Sequence, residues 1–442
     1  MKIIKALKTF KGGVPVLHTK RTENCAVVPM PVPKKLIFPM VQHLGAPCTT
    51  LVKKGDYVRV GQKIGDAESP LSAPVHSSVS GTVTDVRPIL YAGGFDVASV
   101  EIAADGLQVI HEAVKPPAYE NKNDFLNAIR ESGLVGLGGA GFPTAVKLSP
   151  PADKPVDVLI VNGAECEPLI TSDYREMIDN TQGVIDGIRI VLNVTGIQRA
   201  FIGIESNKPK ALEKFSTLLA DDPAIKVVRL PSRYPQGGEK QLIYAVTGRK
   251  VPAGKLPSEI GALVQNVNTV SFIAEYIKTG MPLIKKKVTV DGSAIREPKN
   301  IEVLIGTPLR DVFEFCGGFN EEPAKIIMGG PMMGVAQFSL DNTVVKYTNA
   351  LIAFNKKDAE VPAESVCIKC GKCMDVCPMN LAPLFINGCV ERNMIDDTLR
   401  YGVNDCIECG CCSFVCPASR HLVQSIRYAK VELRKRAHKA KK

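Results

Sequence analysis

No window of this 442-residue chain approaches the roughly eighteen consecutive apolar residues that a membrane-crossing helix needs, so nothing in it is expected to span a bilayer by itself. The opening MKIIKALKTFKGG lacks the apolar stretch of a secretory leader. The 14 cysteines are therefore expected in a reducing compartment, free of disulfides. There is no Ser-His-Asp set, no zincin motif and no Walker motif, which removes the usual hydrolytic and phosphoryl-transfer classes. Hydrophobic residues make up 45% of the chain, enough for packed cores, and the length leaves room for roughly two to four domains.

What the chain does have is cysteine in a pattern. Eight fall into two copies of one spacing, Cys367-x2-Cys370-x2-Cys373-x3-Cys377-Pro378 and Cys406-x2-Cys409-x2-Cys412-x3-Cys416-Pro417, the run expected of two 4Fe-4S clusters. Three thiolates two residues apart close around one face of a cubane, while the fourth leaves that loop and ligates the other cluster. The expected ligand sets are Cys367, Cys370, Cys373 with Cys416, and Cys406, Cys409, Cys412 with Cys377. Two structural zinc sites are the competing reading, but zinc commonly pairs two Cys-x2-Cys elements rather than two complete four-cysteine runs. Cys25, Cys48, Cys166, Cys316 and Cys389 are scattered and read mostly as small core residues. Cys411 lies inside the second run but breaks its spacing and is left out.

Charge is concentrated at the end. Residues 427–442 hold eight Lys or Arg and one Glu, which is +7 of the chain's net +10. Such a tail suits an anionic membrane surface or an acidic partner, or is a solvated, frayed end. No nucleic-acid partner is expected, because Tyr428 is its one aromatic residue able to stack on a base.

Residues 36–106 carry strand and tight-turn signals in LVKKGDYVRVGQKIGDAE and SAPVHSSVSGTVTDVRPI, and predict a small all-β unit. The pairing of KKGDYVRVGQKIG with APVHSSVSGTV resembles the barrel-sandwich hammerhead of biotinyl and lipoyl carrier domains, whose second hairpin presents a modified Lys. Here the turn from His76 to Gly81 has no Lys, so the unit is read as structural or docking and His76 as a surface residue. Residues 111–280 alternate buried-strand runs, DKPVDVLIVNG, RAFIGIES and IKVVRLP, with helical periods, one of them running from an Asp173 cap to Thr195. That alternation predicts a parallel sheet wrapped by helices, with ligands outside the carboxyl ends of its strands.

The loop Gly136-Leu137-Gly138-Gly139-Ala140-Gly141-Phe142-Pro143-Thr144 lets backbone N–H groups turn toward a phosphate, and Lys147 adds positive charge. It departs from both G-x-G-x-x-G and the P-loop. Three polar clusters accompany it: Asn162-Gly163-Ala164-Glu165-Cys166-Glu167-Pro168, Tyr234-Pro235-Gln236-Gly237-Gly238-Glu239 and Asn266-Val267-Asn268-Thr269.

In this order and at these spacings the loops resemble those of the flavin and NADH subunit of respiratory complex I: GRGGAGFPT, N-x-D-E-x-E-P, Y-x-x-G-E-E and N-V-E-T. With the β module in front and the cysteine runs behind, nearly the whole chain resembles the C subunit of the Rnf electron-transport complex. The resemblance implies FMN at Gly136, Gly138, Gly139, Gly141 and Lys147, with Phe142 stacking on bound NAD(H). It carries Asn162, Tyr234, Gly237, Asn266 and Thr269 as further cofactor-binding positions, and Glu165 and Glu167 as catalytic ones. Leu137, Ala164 and Gly238 stand where the complex I pattern has Arg, Asp and Glu, and so remove polar contacts.

The fold class expected is multidomain α/β. It comprises a barrel-sandwich-like β module at 1–110, a Rossmann-like FMN/NADH-binding domain at 111–284, a small β-grasp module at 285–345, a two-cluster ferredoxin-like α domain at 355–426 and the basic tail at 427–442. Met332 and Met333 are read as core filling. The implied function is electron transfer between NAD(H), FMN and two 4Fe-4S clusters, coupled in the family to ferredoxin and to Na+ or H+ pumping. Other subunits of a membrane complex are the implied partners, and the cytoplasmic face of the membrane the implied location. A microcompartment cobalamin reductase shares the loop and the clusters, but carries GGAGFPT near its N-terminus, where here about 135 residues precede it. An iron-sulfur relay with a decayed nucleotide site is the non-enzymatic alternative, and an attached-cofactor carrier a third.

Overall fold

The computed structural model describes residues 3–91 and 94–439. Its centre is a five-stranded parallel sheet ordered Ile4–Lys5, Ile225–Leu230, Ala200–Glu205, Val158–Gly163, Ala262–Asn266. These strands read as continuous apolar runs because helices cover both faces. Leu159 and Val161 face the helices Thr181–Thr195 and Val267–Thr279, whereas Val158 and Ile160 pack with Leu242, Ile243 and Val246 of the helix Glu239–Thr247. The period of two along the strand assigns each residue to one layer. Gly187 lets the first two helices approach closely, since a Cβ there would lie 1.8 Å from Val270 O.

The helical run expected from Asp173 to Thr195 is two helices, Ser172–Asp179 and Thr181–Thr195, broken at Asn180. Asp173 is not the cap. That position belongs to Thr171, and Asp173 lies inside the first turn with its carboxylate committed elsewhere.

Residues 3–30 do not stay with the β module. Ile4–Lys5 forms the edge of the parallel sheet, and Val27–Pro29 adds to a second, six-stranded sheet in parallel with Lys299–Leu304. That sheet, ordered Val335–Ala336, Lys325–Met328, Ala350–Phe354, Lys285–Asp291, Lys299–Leu304, Val27–Pro29, packs on the helix Leu309–Phe315 through Leu309, Val312 and Phe313. It is the β-grasp unit, and it extends to Phe354.

The β module is a four-stranded and a three-stranded antiparallel sheet between Lys35 and Ala104. Its second hairpin overturns the reading of His76 as a surface residue: His76 is 5% exposed, and Ser77, Ser78, Val79 and Ser80 are buried with it. The serines look like exposed turn chemistry, but their hydroxyls are used internally. Ser78 donates to Ile305 O at 2.7 Å, Ser80 to Asp105 at 2.7 Å and Ser77 to Val79 O at 2.7 Å. The hairpin that carriers expose is here packed against the β-grasp unit.

The cysteine-rich unit holds two short helices, Lys372–Asp375 and Cys411–Phe414, then Pro383–Glu391 and the long helix Leu422–Lys439. This last helix runs unbroken across residue 427, burying Ile426 and Ala429, so the basic tail is no frayed end as far as residue 439; residues 440–442 lie outside the described residues. Lys430 donates to Cys406 O at 2.6 Å and to Glu408 at 2.8 Å, and Arg427 reaches Glu408 at 3.0 Å. Among the described residues no helix is long and apolar enough to cross a membrane.

Candidate functional site

The parallel register sets Asn162 beside Asn266 at the carboxyl ends of adjacent strands. Asn266 caps the helix Val267–Thr279, its side-chain oxygen accepting from Asn268 N at 2.8 Å, while its amide donates to Asp173 at 2.7 Å. Asn268 donates to the other oxygen of Asp173 at 2.6 Å. Burial pushes the Asp173 carboxyl up, and these two amides pull it back.

Over this end lies the glycine loop. A bridge between Val135 and Pro143 and a bond from Gly136 N to Phe142 O at 2.8 Å pinch its base. Leu137 N donates to Thr269 Oγ1 at 3.0 Å, and Leu44 N of the β module donates to Gly141 O at 3.0 Å. Gly138, Gly139 and Ala140 are exposed at the tip. Gly138 must be Gly for a local reason, because a Cβ would lie 2.2 Å from Asn266 Nδ2; at Gly139 a Cβ would meet nothing within 4 Å. Lys147, at the end of the short helix Thr144–Lys147, pairs with Glu239 at 2.7 Å.

The second loop is held from several sides. Asn162 donates to Gly237 O at 2.9 Å, and Gly237 N donates to Cys166 Sγ at 3.3 Å, so the two loops share an edge. Glu165 adopts a positive φ of 47° and accepts from Asp173 N at 2.7 Å and Tyr174 N at 3.2 Å. Glu167 accepts from Met332 N at 3.0 Å and Met333 N at 2.9 Å. Burial pushes both carboxyls up to about 7. Glu165 Oε2 is buried with no protein partner.

Sequence reasoning missed two residues beneath this loop. Lys20 donates to the carbonyls of Glu165 at 3.1 Å, Glu167 at 2.8 Å and Ile170 at 2.6 Å, and Lys208 to Ala164 O at 2.6 Å. An isolated lysine carries no motif, so no signal could have found either. Met332 and Met333 are not simply core filling: Met333 is 44% exposed, and both act through backbone N–H groups.

The eight motif cysteines fall into two cavities. One is lined by Cys367, Cys370, Cys373 and Cys416, the other by Cys377, Cys406, Cys409 and Cys412, with Cys411 beside them. Among the described residues no group of three or more His, Cys, Asp or Glu side chains is placed to hold a single metal ion. Cys370 is exposed, while Cys377, Cys409 and Cys412 are buried. Contacts tie this second set to the α/β unit: Gly13 N donates to Val376 O at 2.7 Å, Gln241 Nε2 to Pro378 O at 3.3 Å and Tyr234 Oη to Cys409 O at 2.7 Å.

Comparison with known proteins bears on each unit. Residues 129–275 match the Nuo51 FMN-binding domain, 8–107 the RnfC barrel sandwich hybrid domain, 287–336 the SLBB domain and 361–417 the 4Fe-4S dicluster domain. The chain is 45% identical over 97% of its length to the C subunit of the proton-translocating ferredoxin:NAD(+) oxidoreductase complex of Clostridium ljungdahlii, covering 94% of that protein. The chain belongs to the RnfC family, the C subunits of Rnf complexes. It is also 47% identical to the C subunit of the Na(+)-translocating ferredoxin:NAD(+) oxidoreductase complex of Acetobacterium woodii, over 96% of this chain and 97% of that one. With the C subunit of the ion-translocating oxidoreductase complex of Rhodobacter capsulatus the identity is 38%, over 97% of this chain and 84% of that one. As an RnfC family member the chain carries an FMN-binding domain of the complex I type and a 4Fe-4S dicluster domain. The glycine loop and its three companion clusters lie within the span matched by the first, and all the motif cysteines from Cys367 to Cys416 within that matched by the second.

Proposed function

We propose that this chain is the NAD(H)-reactive flavin and iron-sulfur subunit of a membrane-associated, ion-translocating ferredoxin:NAD oxidoreductase, seated peripherally on the cytoplasmic face and partnered by the complex's other subunits. FMN exchanges a hydride with nicotinamide and single electrons with iron-sulfur clusters, which is the chemistry the bound groups supply. The chain's own residues place and tune them. Gly138, Gly139 and Gly141 bring backbone N–H groups close to an anionic ligand, Gly136 closes the base of the loop through its bond to Phe142 O, and Lys147 supplies a cation that Glu239 holds in readiness. Asn162, Gly237, Asn266 and Thr269 fix the two loops to the strand ends, and half-buried Phe142, bonded through its carbonyl to Gly136 N, is the aromatic side chain of the glycine loop. Glu165 and Glu167, poised about 7, are the groups able to hold or release a proton at the site.

The residues present fit the groups. Open space at Gly139, an unpartnered buried carboxylate oxygen on Glu165 and two four-cysteine cavities all suit ligands of this kind. The observation that carries the reading is adjacency: the turn that closes the flavin site at Gly237 also bonds the cysteine unit through Tyr234. NADH-dependent dye reduction by protein carrying both flavin and clusters tests it. Activity that falls with Lys147→Met supports the reading, and no activity with flavin and clusters in place contradicts it.

A further inference from the structure

Tyr234 is the largest fully buried side chain among the described residues, at 1% exposure. A buried phenol needs a hydrogen-bond partner, and this one donates to the backbone carbonyl of Cys409 at 2.7 Å. Its main chain is fixed as well: Val14 N donates to Tyr234 O at 2.9 Å and Tyr234 N to Val14 O at 3.3 Å. Three residues on, Gly237 contacts Asn162 and Cys166 at the strand's carboxyl end. One short turn therefore grips the flavin site at one end and a cysteine of the second set at the other.

We propose that Tyr234 is a positioning residue for the cluster held by Cys377, Cys406, Cys409 and Cys412, setting its seat and its potential, rather than a contact of flavin or nicotinamide. The inference rests on the functional reading above. A hydrogen bond donated to the carbonyl of a ligating residue draws negative charge away from the sulfur's peptide, and so favours the more negative, reduced form of the cluster. Gln241, which donates to Pro378 O beside Cys377 at 3.3 Å, acts on the same set in the same sense and more weakly.

The test uses anaerobically prepared full-length protein with flavin and clusters bound. EPR-monitored titration gives the potential of each cluster, and fluorescence quenching gives the FMN dissociation constant. In Tyr234→Phe the ring stays and the donor goes. The expected result is one cluster shifted to more negative potential, the other unmoved, and FMN affinity within about twofold of the parent. Loss of one cluster with FMN binding intact supports the same conclusion. Unmoved potentials, or weakened FMN binding with both potentials unmoved, overturn it. Gln241→Met gives the second readout should Tyr234→Phe not fold: a smaller negative shift of the same cluster supports the proposal, and none contradicts it. Parent protein without two iron-sulfur signals would instead defeat the functional reading itself.

Discussion

Lys147 and Glu239 meet at 2.7 Å, their side chains 30% and 39% exposed. The pair joins the end of the helix after the glycine loop to the start of the helix after the Tyr234 turn. An anionic group on the loop competes with Glu239 for the lysine. Lys147→Met should weaken FMN binding about tenfold to a hundredfold, the worth of one charge-assisted hydrogen bond. Glu239→Gln, which frees the ammonium, should tighten it several-fold. Fluorescence titration of flavin-free protein measures both.

Gly138 and Gly139 separate what the loop needs for itself from what it needs for a ligand. In Gly138→Ala the new methyl collides with the side chain of Asn266, which caps a helix and holds Asp173. That variant should lose about 1 kcal/mol or more of stability. Gly139→Ala meets open space and should leave stability within about 0.5 kcal/mol. Its FMN affinity should nevertheless fall, because the ligand's close approach is what the missing Cβ permits. Thermal unfolding and flavin titration on both variants read the two effects apart.

The cavities put Cys377 with the second set and Cys416 with the first. The double variant Cys377→Ser, Cys409→Ser should therefore lose one cluster and keep about four iron atoms per chain. Cys377→Ser with Cys370→Ser should damage both clusters. Uncrossed ligation gives the reverse pattern in iron analysis and EPR.

Lys346 is buried where three units meet, donating to Gly133 O at 2.7 Å and to Pro74 O. Burial pulls its ammonium down to about 7, with Cys48 and Asp66 opposing the shift. The folded value lies below that of the unfolded chain, about 10.4. Between the two the unfolded chain binds the proton more, so the cost of burying this ammonium is full below about 7 and is relieved as pH rises through that window. The difference in unfolding free energy between parent and Lys346→Met should rise by up to about 1.4 kcal/mol per pH unit over that window. Urea unfolding of both proteins at a series of pH values checks the slope.

The cysteine runs and the glycine loop were legible because their chemistry dictates spacing, and the strand–helix alternation because burial on both faces leaves continuous apolar runs. Asp173 was visible but misassigned. An acidic residue ahead of a helical period looks like a cap, and only the neighbouring strand's Asn266 and Asn268 show its real partners. His76 was misplaced because a polar turn gives no sign that another unit will cover it. Lys20 and the Met332–Met333 turn were illegible for a common reason. They act on or through backbone groups, which every residue possesses.

The proposed function requires a two-electron site at the glycine loop that communicates with cubanes held by the eight motif cysteines. The most direct measurement is an anaerobic NADH titration of purified protein followed by optical and EPR spectroscopy, with iron and flavin counted in the same sample. The proposed function calls for about eight iron atoms and about one flavin per chain, with flavin bleaching and reduced-cluster signals developing together as NADH is added. Zinc in place of iron, or a full complement of flavin and iron that NADH leaves oxidised, would contradict it.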